Sequence, residues 1–111
     1  MADVISNRRN APRYALILIA AVIDMESEAR LSARTSDVSR TGCYVDTLNP
    51  MPKGKAVYVV LSRGEEVFEA RGRVMYVSAG LGMGIQFDEP IDPEQLRILD
   101  RWIERGENLR L

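Results

Sequence analysis

The sequence predicts a mainly β fold, a small six-stranded antiparallel β-barrel with a C-terminal α-helix, and three observations lead there. Ala29, Leu31, Ala33 and Thr35 alternate with Arg30, Ser32, Arg34 and Ser36, the period of two of a half-buried strand. Residues 56–61 and 67–77 flank a short Gly-containing connection, Ser62, Arg63, Gly64 and Glu65, of the length that joins hairpin strands. The C-terminus then changes period: Leu96, Leu99 and Ile103 line one helical face. With 111 residues, 46% of them hydrophobic, and no repeat, one modest core closed by that helix is the economical architecture.

The elements follow in order. Residues 1–13 are polar and end in Pro12, which disfavours helix at Ala11, so they are expected to form a flexible lead-in carrying three arginines. Residues 14–23 are apolar without a helical cap, and their Ile and Val content predicts a strand. The alternating strand over 29–36 should turn its arginines to water. Cys43, Tyr44 and Val45 read as a further strand, closed by the turn-forming stretch 49–54. Gly80, Gly82 and Gly84 lead into the last strand, Ile85, Gln86 and Phe87, through a stretch suited to unusual dihedrals. Asp92 can cap the helix, Pro93 suits its first position, Gln95 completes a capping box and Gly106 is the expected stop. The barrel and helix should occupy 14–106, with 107–111 a short tail.

Composition narrows the chemistry. The 15 basic and 16 acidic residues nearly cancel, so no global field draws the chain to nucleic acid or an anionic membrane, and any anion site must be local. Lys stands only at 53 and 55, and every other basic residue is Arg, whose planar fork of donors suits phosphates and planar ligands, although an arginine-rich genome gives the same bias. There is no His and a single Cys, Cys43, which removes the common metal cages, Ser-His and Cys-His pairs and any internal disulfide. No catalytic residue, metal site or cofactor is expected, and Cys43 reads as a small core hydrophobe. The apolar run is about half the ~20 residues that span a bilayer and lacks a cleavage pattern, so a cytoplasmic protein without membrane insertion is expected.

Two segments carry candidate chemistry. Arg9 and Arg13 stand four apart around Pro12, and an extended loop separates them by up to about 13–14 Å, enough to grip a dinucleotide from two sides. That spacing recurs at 30 and 34 on a strand and at 97, 101 and 105 on the helix, where a solvated face is the simpler reading. Asp37, Ser39 and Gly42 form an Asp-x-Ser-x-x-Gly pattern that occurs once, between two strands. Alone it is equally an ordinary turn, with Asp37 and Ser39 bonding local backbone and Gly42 supplying a positive φ. Tyr76 offers a stacking surface or simply packs on the barrel, and Trp102 is expected to anchor the helix.

Together the two segments resemble the PilZ domain, a family of bacterial cyclic di-GMP receptors with an Arg-x-x-x-Arg loop followed by a strand bearing Asp/Asn-x-Ser-x-x-Gly. The resemblance covers nearly the whole chain and extends to Gly72, Arg73 and Val74, to the stretch 82–87 and to the closing helix from Pro93. It implies that Arg9 and Arg13 are the loop arginines and that Asp37, Ser39 and Gly42 form the strand motif. Arginine binds phosphate bidentately, reads the O6/N7 edge of guanine or stacks on its face. A carboxylate at Asp37 accepts from the N1–H and N2–H donors of guanine, Ser39 can bond a phosphate or a guanine nitrogen, and Gly42 lets a ligand approach the backbone. Arg8, directly ahead of the loop, would serve a second guanine and favour an intercalated pair of nucleotides.

The function implied is a receptor or adaptor that changes conformation on binding cyclic di-GMP and signals to an unidentified protein effector. A PilZ-like structural or interaction protein that binds no nucleotide is the alternative, although it would be expected to lack one of the motif residues. An enzyme would want a metal cluster or general base that the sequence does not offer. A nucleic-acid-binding barrel is disfavoured by the balanced charge and by only two Phe and one Trp.

Overall fold

The computed structural model describes residues 11–106. Arg8, Arg9, the rest of the expected lead-in up to residue 10, and the tail 107–111 lie outside the described residues. Six strands, β1 (Ile19–Asp24), β2 (Arg30–Val38), β3 (Gly42–Asp46), β4 (Ala56–Arg63), β5 (Glu66–Ser78) and β6 (Gly82–Phe87), close into a barrel in the order β1-β2-β3-β6-β5-β4. All neighbours are antiparallel, and the β1–β4 pair completes the ring, leaving no edge to template aggregation. The helix α1 (Pro93–Arg105) follows. This is the expected fold class.

The alternation that marked the strands is realised in the core. Val22, Val45, Val57, Val59, Leu61, Phe68 and Met83 are fully buried inside the ring, and Phe68 and Phe87 pack with ring centroids 5.0 Å apart. The helix adds Leu99, Trp102 and Ile103 from one face, so Trp102 anchors it as expected. Burial of such side chains contributes roughly 1.5–3 kcal/mol each, which makes this shared core the main support of the helix.

Several expectations need correction. The strand expected over 14–23 starts only at Ile19: the Thr35 amide still donates to the Leu18 carbonyl at 2.9 Å, but the buried Thr35 side chain takes the return bond from the Leu18 amide. Thr35 Oγ1 accepts from the Leu18 amide at 2.9 Å and donates to the Leu16 carbonyl at 2.8 Å. Tyr14 still pairs with Val38 through two backbone bonds of 2.9 and 3.0 Å, so residues 14–18 run beside β2 without joining the ladder proper. The β4–β5 connection is tighter than expected: Arg63 pairs with Glu66, and Gly64, at φ 62°, makes the turn with Glu65.

Of the three glycines before the last strand, only Gly80 has a positive φ, at 74°. Gly82 and Gly84 are ordinary strand residues whose missing side chains make room for the Val45 carbonyl and Tyr44 ring at Gly82 and for the Tyr76 ring at Gly84. At the helix start Pro93 is at the first position, yet Asp92 makes no side-chain cap, and Gln95 Oε1 instead accepts the Glu69 amide of β5 at 2.7 Å. Gly106 does end the helix, at φ −98° rather than left-handed, and a Cβ there would sit 2.6 Å from Leu16 Cδ2.

The helical arginines do more than coat a solvated face. Arg101 donates to Glu66 Oε2 from Nε and Nη2 at 3.0 and 2.8 Å, Arg105 reaches Oε1 at 3.1 Å, and Trp102 Nε1 reaches Oε1 at 2.9 Å. Arg97 pairs with Glu94 within the helix, as expected of surface charges. Glu66 therefore fastens α1 to the β4–β5 hairpin.

A candidate ligand cavity on the outer face

The site is built by two irregularities in neighbouring strand pairs. A register shift between Thr35 and Asp37 breaks the alternation of β2, so Val38 continues the inward row and Asp37 turns outward. A second shift between Val74 and Tyr76 does the same on β5, turning Tyr76 out after the inward Val74. Bulges re-aim the residues beside them, and these two act on one row across four strands. Asp37 is opposite Tyr44, Tyr44 opposite Gly84, and Gly84 opposite Tyr76.

Gly84 is the low point of that row. A Cβ there would stand 2.1 Å from Tyr76 Cε1, so the ring lies directly over the glycine, whereas at Gly82 a Cβ would meet the Val45 carbonyl oxygen at 2.3 Å and the Tyr44 ring at 2.7 Å. The two rings approach with centroids 6.0 Å apart and planes tilted by 30°. Tyr76 remains 46% exposed, and burial pushes its hydroxyl above the ordinary tyrosine range, with Arg13 opposing and Asp37 adding to the shift. It thus packs on the barrel and also presents an open aromatic surface.

Over Tyr76 and Gly84 lies an open cavity of about 660 Å³, and Arg13, Asp37, Ser39 and Gly42 all line it. Among the predicted site residues these four are brought together, whereas Arg8 and Arg9 lie outside the described residues. Arg13 Nη2 meets Asp37 Oδ2 at 2.8 Å; the arginine side chain is 55% exposed and the aspartate 12%. The bond to Asp37, then its charge, hold the Arg13 guanidinium more firmly protonated than usual. Asp37 can only accept, so the pair is a cation and an acceptor-only group side by side at a cavity wall.

Ser39 behaves as the ordinary-turn reading expects. Its Oγ accepts from the amides of Thr41 at 3.1 Å and Gly42 at 3.2 Å, while its own amide donates to the Gly42 carbonyl at 2.8 Å. The hydroxyl proton goes to Thr41 Oγ1 at 3.1 Å, to the Gly42 carbonyl at 3.4 Å, or outward. Gly42 does not have the positive φ that reading also expects. Glycine is needed there because a Cβ would lie 2.1 Å from the Ile85 carbonyl of β6. Cys43 is buried beneath the cavity, and burial, with Asp37 adding, pushes its thiol up to about 12, so it is protonated at neutral pH and no nucleophile.

Ala11, Thr41, Met75 and Gln86 also line the cavity, and two residues that brace its wall were not singled out by the sequence. Tyr44 supplies the second ring, and its only signal was its place between the inward Cys43 and Val45. Arg40, inside the strand motif, holds Asp100 of α1 through Nε at 2.7 Å and Nη2 at 3.3 Å, tying the turn to the helix. Nothing local to the sequence marks that pair.

The sequence profile of the PilZ domain matches residues 7–105. The chain belongs to the PilZ domain family. No curated protein matches it. Among solved structures, the PilZ domain of YcgR from Escherichia coli, solved with c-di-GMP, is similar at a TM-score of 0.73 and 18% identity, covering 91% of this chain and 92% of that one. The PilZ domain of CeSA from a cellulose-synthesizing bacterium gives 0.67 and 18%, covering 86% and 97%. The inhibitor of motility MotI/DgrA of Bacillus subtilis gives 0.71 and 19%; this PilZ chain is covered over 91%, that protein over 52%. At such identities the likeness is one of fold. No helix among the described residues is long and apolar enough to cross a membrane.

Proposed function

We propose that this PilZ domain is a cyclic di-GMP receptor that binds the nucleotide in the cavity between the 37–42 turn and Tyr76. The observation that carries the reading is the Arg13–Asp37 pair on the wall of a roomy, open cavity floored by an aromatic ring. In this reading Asp37 accepts from the Watson–Crick edge of a guanine, which adenine cannot reproduce, and Arg13 leaves Asp37 for a phosphate or the guanine O6/N7 edge. Ser39 holds the turn, with its single proton left for a phosphate oxygen. Arg8 and Arg9 supply the remaining cations, and Arg8 favours an intercalated pair of nucleotides. Membership in the PilZ family and the fold shared with a c-di-GMP-bound YcgR domain support this reading.

The domain acts by binding and not by catalysis in this reading. Ordering of the arginine loop against the barrel is the conformational change, and a protein effector in the bacterial cytoplasm reads it. Titration calorimetry tests the proposal: wild type should bind cyclic di-GMP at one or two nucleotides per chain, with two supporting the intercalated pair, and should ignore cyclic di-AMP. A folded wild type that gives no heat with cyclic di-GMP would make it a non-binding PilZ-like interaction protein instead.

A further inference from the structure

We infer that the outer face of β1 and β4, on the side of the barrel away from the cavity, is a docking surface for a protein segment whose apolar residues are flanked by carboxylates. Ile17 and Ile19 point outward and are 69% and 71% exposed, the alternation of this segment burying Leu16, Leu18 and Ala20 instead. The register carries the apolar surface across the sheet. Ile19 is opposite Ser62 and Ser62 opposite Val67, itself partly exposed, while the half-buried Ile23 and Tyr58 face each other and the buried Ala21 is opposite the half-buried Val60. Single exposed aliphatics are ordinary, but outward aliphatic and aromatic side chains on three adjacent strands, interrupted by Ser62 and Glu69, form a mixed face of the kind that interaction sites present.

The rim says what kind of partner fits. Arg30 flanks the strip on β2, opposite Ile23, and Arg71 flanks it on β5, opposite Tyr58. Neither has a carboxylate partner among the described residues, whereas Arg13, Arg40, Arg97, Arg101 and Arg105 are all ion-paired close by. Arg34, opposite Ile19, reaches Asp46 only at 3.9 Å. The acidic residue among the outward strand positions of this face, Glu69, accepts from the Tyr58 hydroxyl and is outnumbered by Arg30, Arg34 and Arg71. An apolar strip between unpaired arginines is complementary to apolar side chains bordered by Asp or Glu. A second copy of this chain does not fit, because face-to-face pairing would set arginine against arginine. An anionic membrane, to which the net charge of −1 gives no long-range attraction, is the competing occupant that the vesicle arm of the test addresses.

Selection of phage-displayed random dodecapeptides on the immobilised full chain, counter-selected on Ile17→Glu/Ile19→Glu, tests the assignment. Enriched peptides should interleave aliphatic or aromatic residues with Asp or Glu. A synthetic peptide of the leading sequence should lose about tenfold in affinity with Ile19→Glu, a clear part of it with Arg71→Glu, and weaken as salt rises. Circular dichroism checks the fold of each variant without reference to nucleotide, and Ile19→Glu should leave cyclic di-GMP titration unchanged, so failure here is separable from failure of the receptor reading. Neutral or basic consensus peptides, or binding indifferent to Ile19→Glu, would overturn the inference. So would Ile19-dependent sedimentation with phosphatidylglycerol vesicles, which would reassign the face to a membrane.

Discussion

Asp37 and Glu66 are carboxylates with arginine neighbours on the same barrel, and they are used in opposite ways. Glu66 is filled: Trp102, Arg101 and Arg105 bond both of its oxygens, and the bonds from Trp102 and Arg101 are the main cause of a pKa held down to about 2. Asp37 meets one half-exposed arginine through one oxygen, on the wall of a cavity. A carboxylate enclosed by fixed donors fastens two elements together; one facing an exposed cation across open space can exchange it. Pairing with arginine therefore does not mark a ligand site by itself. The surroundings of the pair decide.

The contrast breaks most visibly where the fastening is removed. Trp102 is fully buried and donates to Glu66, so Trp102→Ala should lower stability by about 3–5 kcal/mol in urea unfolding. The two glycines beside the cavity come next and should separate structure from site. Gly42→Ala drives a Cβ into the Ile85 carbonyl, a backbone atom that cannot yield, and should cost about 1–3 kcal/mol. Gly84→Ala meets first the Tyr76 ring, a side chain that can swing aside. It should leave the melting temperature nearly unchanged but weaken nucleotide binding by roughly tenfold, the size of a lost aromatic contact.

A pH series sharpens the Glu66 side. Because folding lowers this pKa from 4.5 to about 2, the fastening is fully present above pH 4.5 and is lost as pH falls towards 2. Melting temperatures of wild type and Glu66→Gln should differ at neutral pH and converge over that window. The smallest effect belongs to Arg40→Ala. Its bond to Asp100 is half-exposed on both sides, so the loss should be about 0.5 kcal/mol, seen as a small shift of the urea midpoint.

The sequence disclosed the barrel because alternation on β2, the hairpin around Gly64 and the helical face of Leu96, Leu99 and Ile103 are local patterns. It disclosed Asp37, Ser39 and Gly42 because their spacing is compact, and their residence with Arg13 on one cavity followed from topology. What it hid depends on register. A one-residue shift at Thr35 has no local signature, so neither the late start of β1 nor the outward turn of Asp37 was legible. The same holds for Tyr76 and for Tyr44, which meets it only across β6. Arg101 and Arg105 looked like helix-surface charges because Glu66 is remote in sequence. Gly42 and Gly84 were legible as glycines, though the reason for each, a carbonyl and a ring, belongs to neighbouring strands.

Amide chemical-shift mapping during titration with cyclic di-GMP tests the central claim most directly. Residues 37–42, Tyr44, Tyr76 and Gly84 should shift together and saturate, the Ile19 and Glu66 neighbourhoods should stay still, and Asp37→Ala should abolish the response. Saturating shifts confined to the Glu66 or Ile19 side, or an undiminished response in Asp37→Ala, would contradict it.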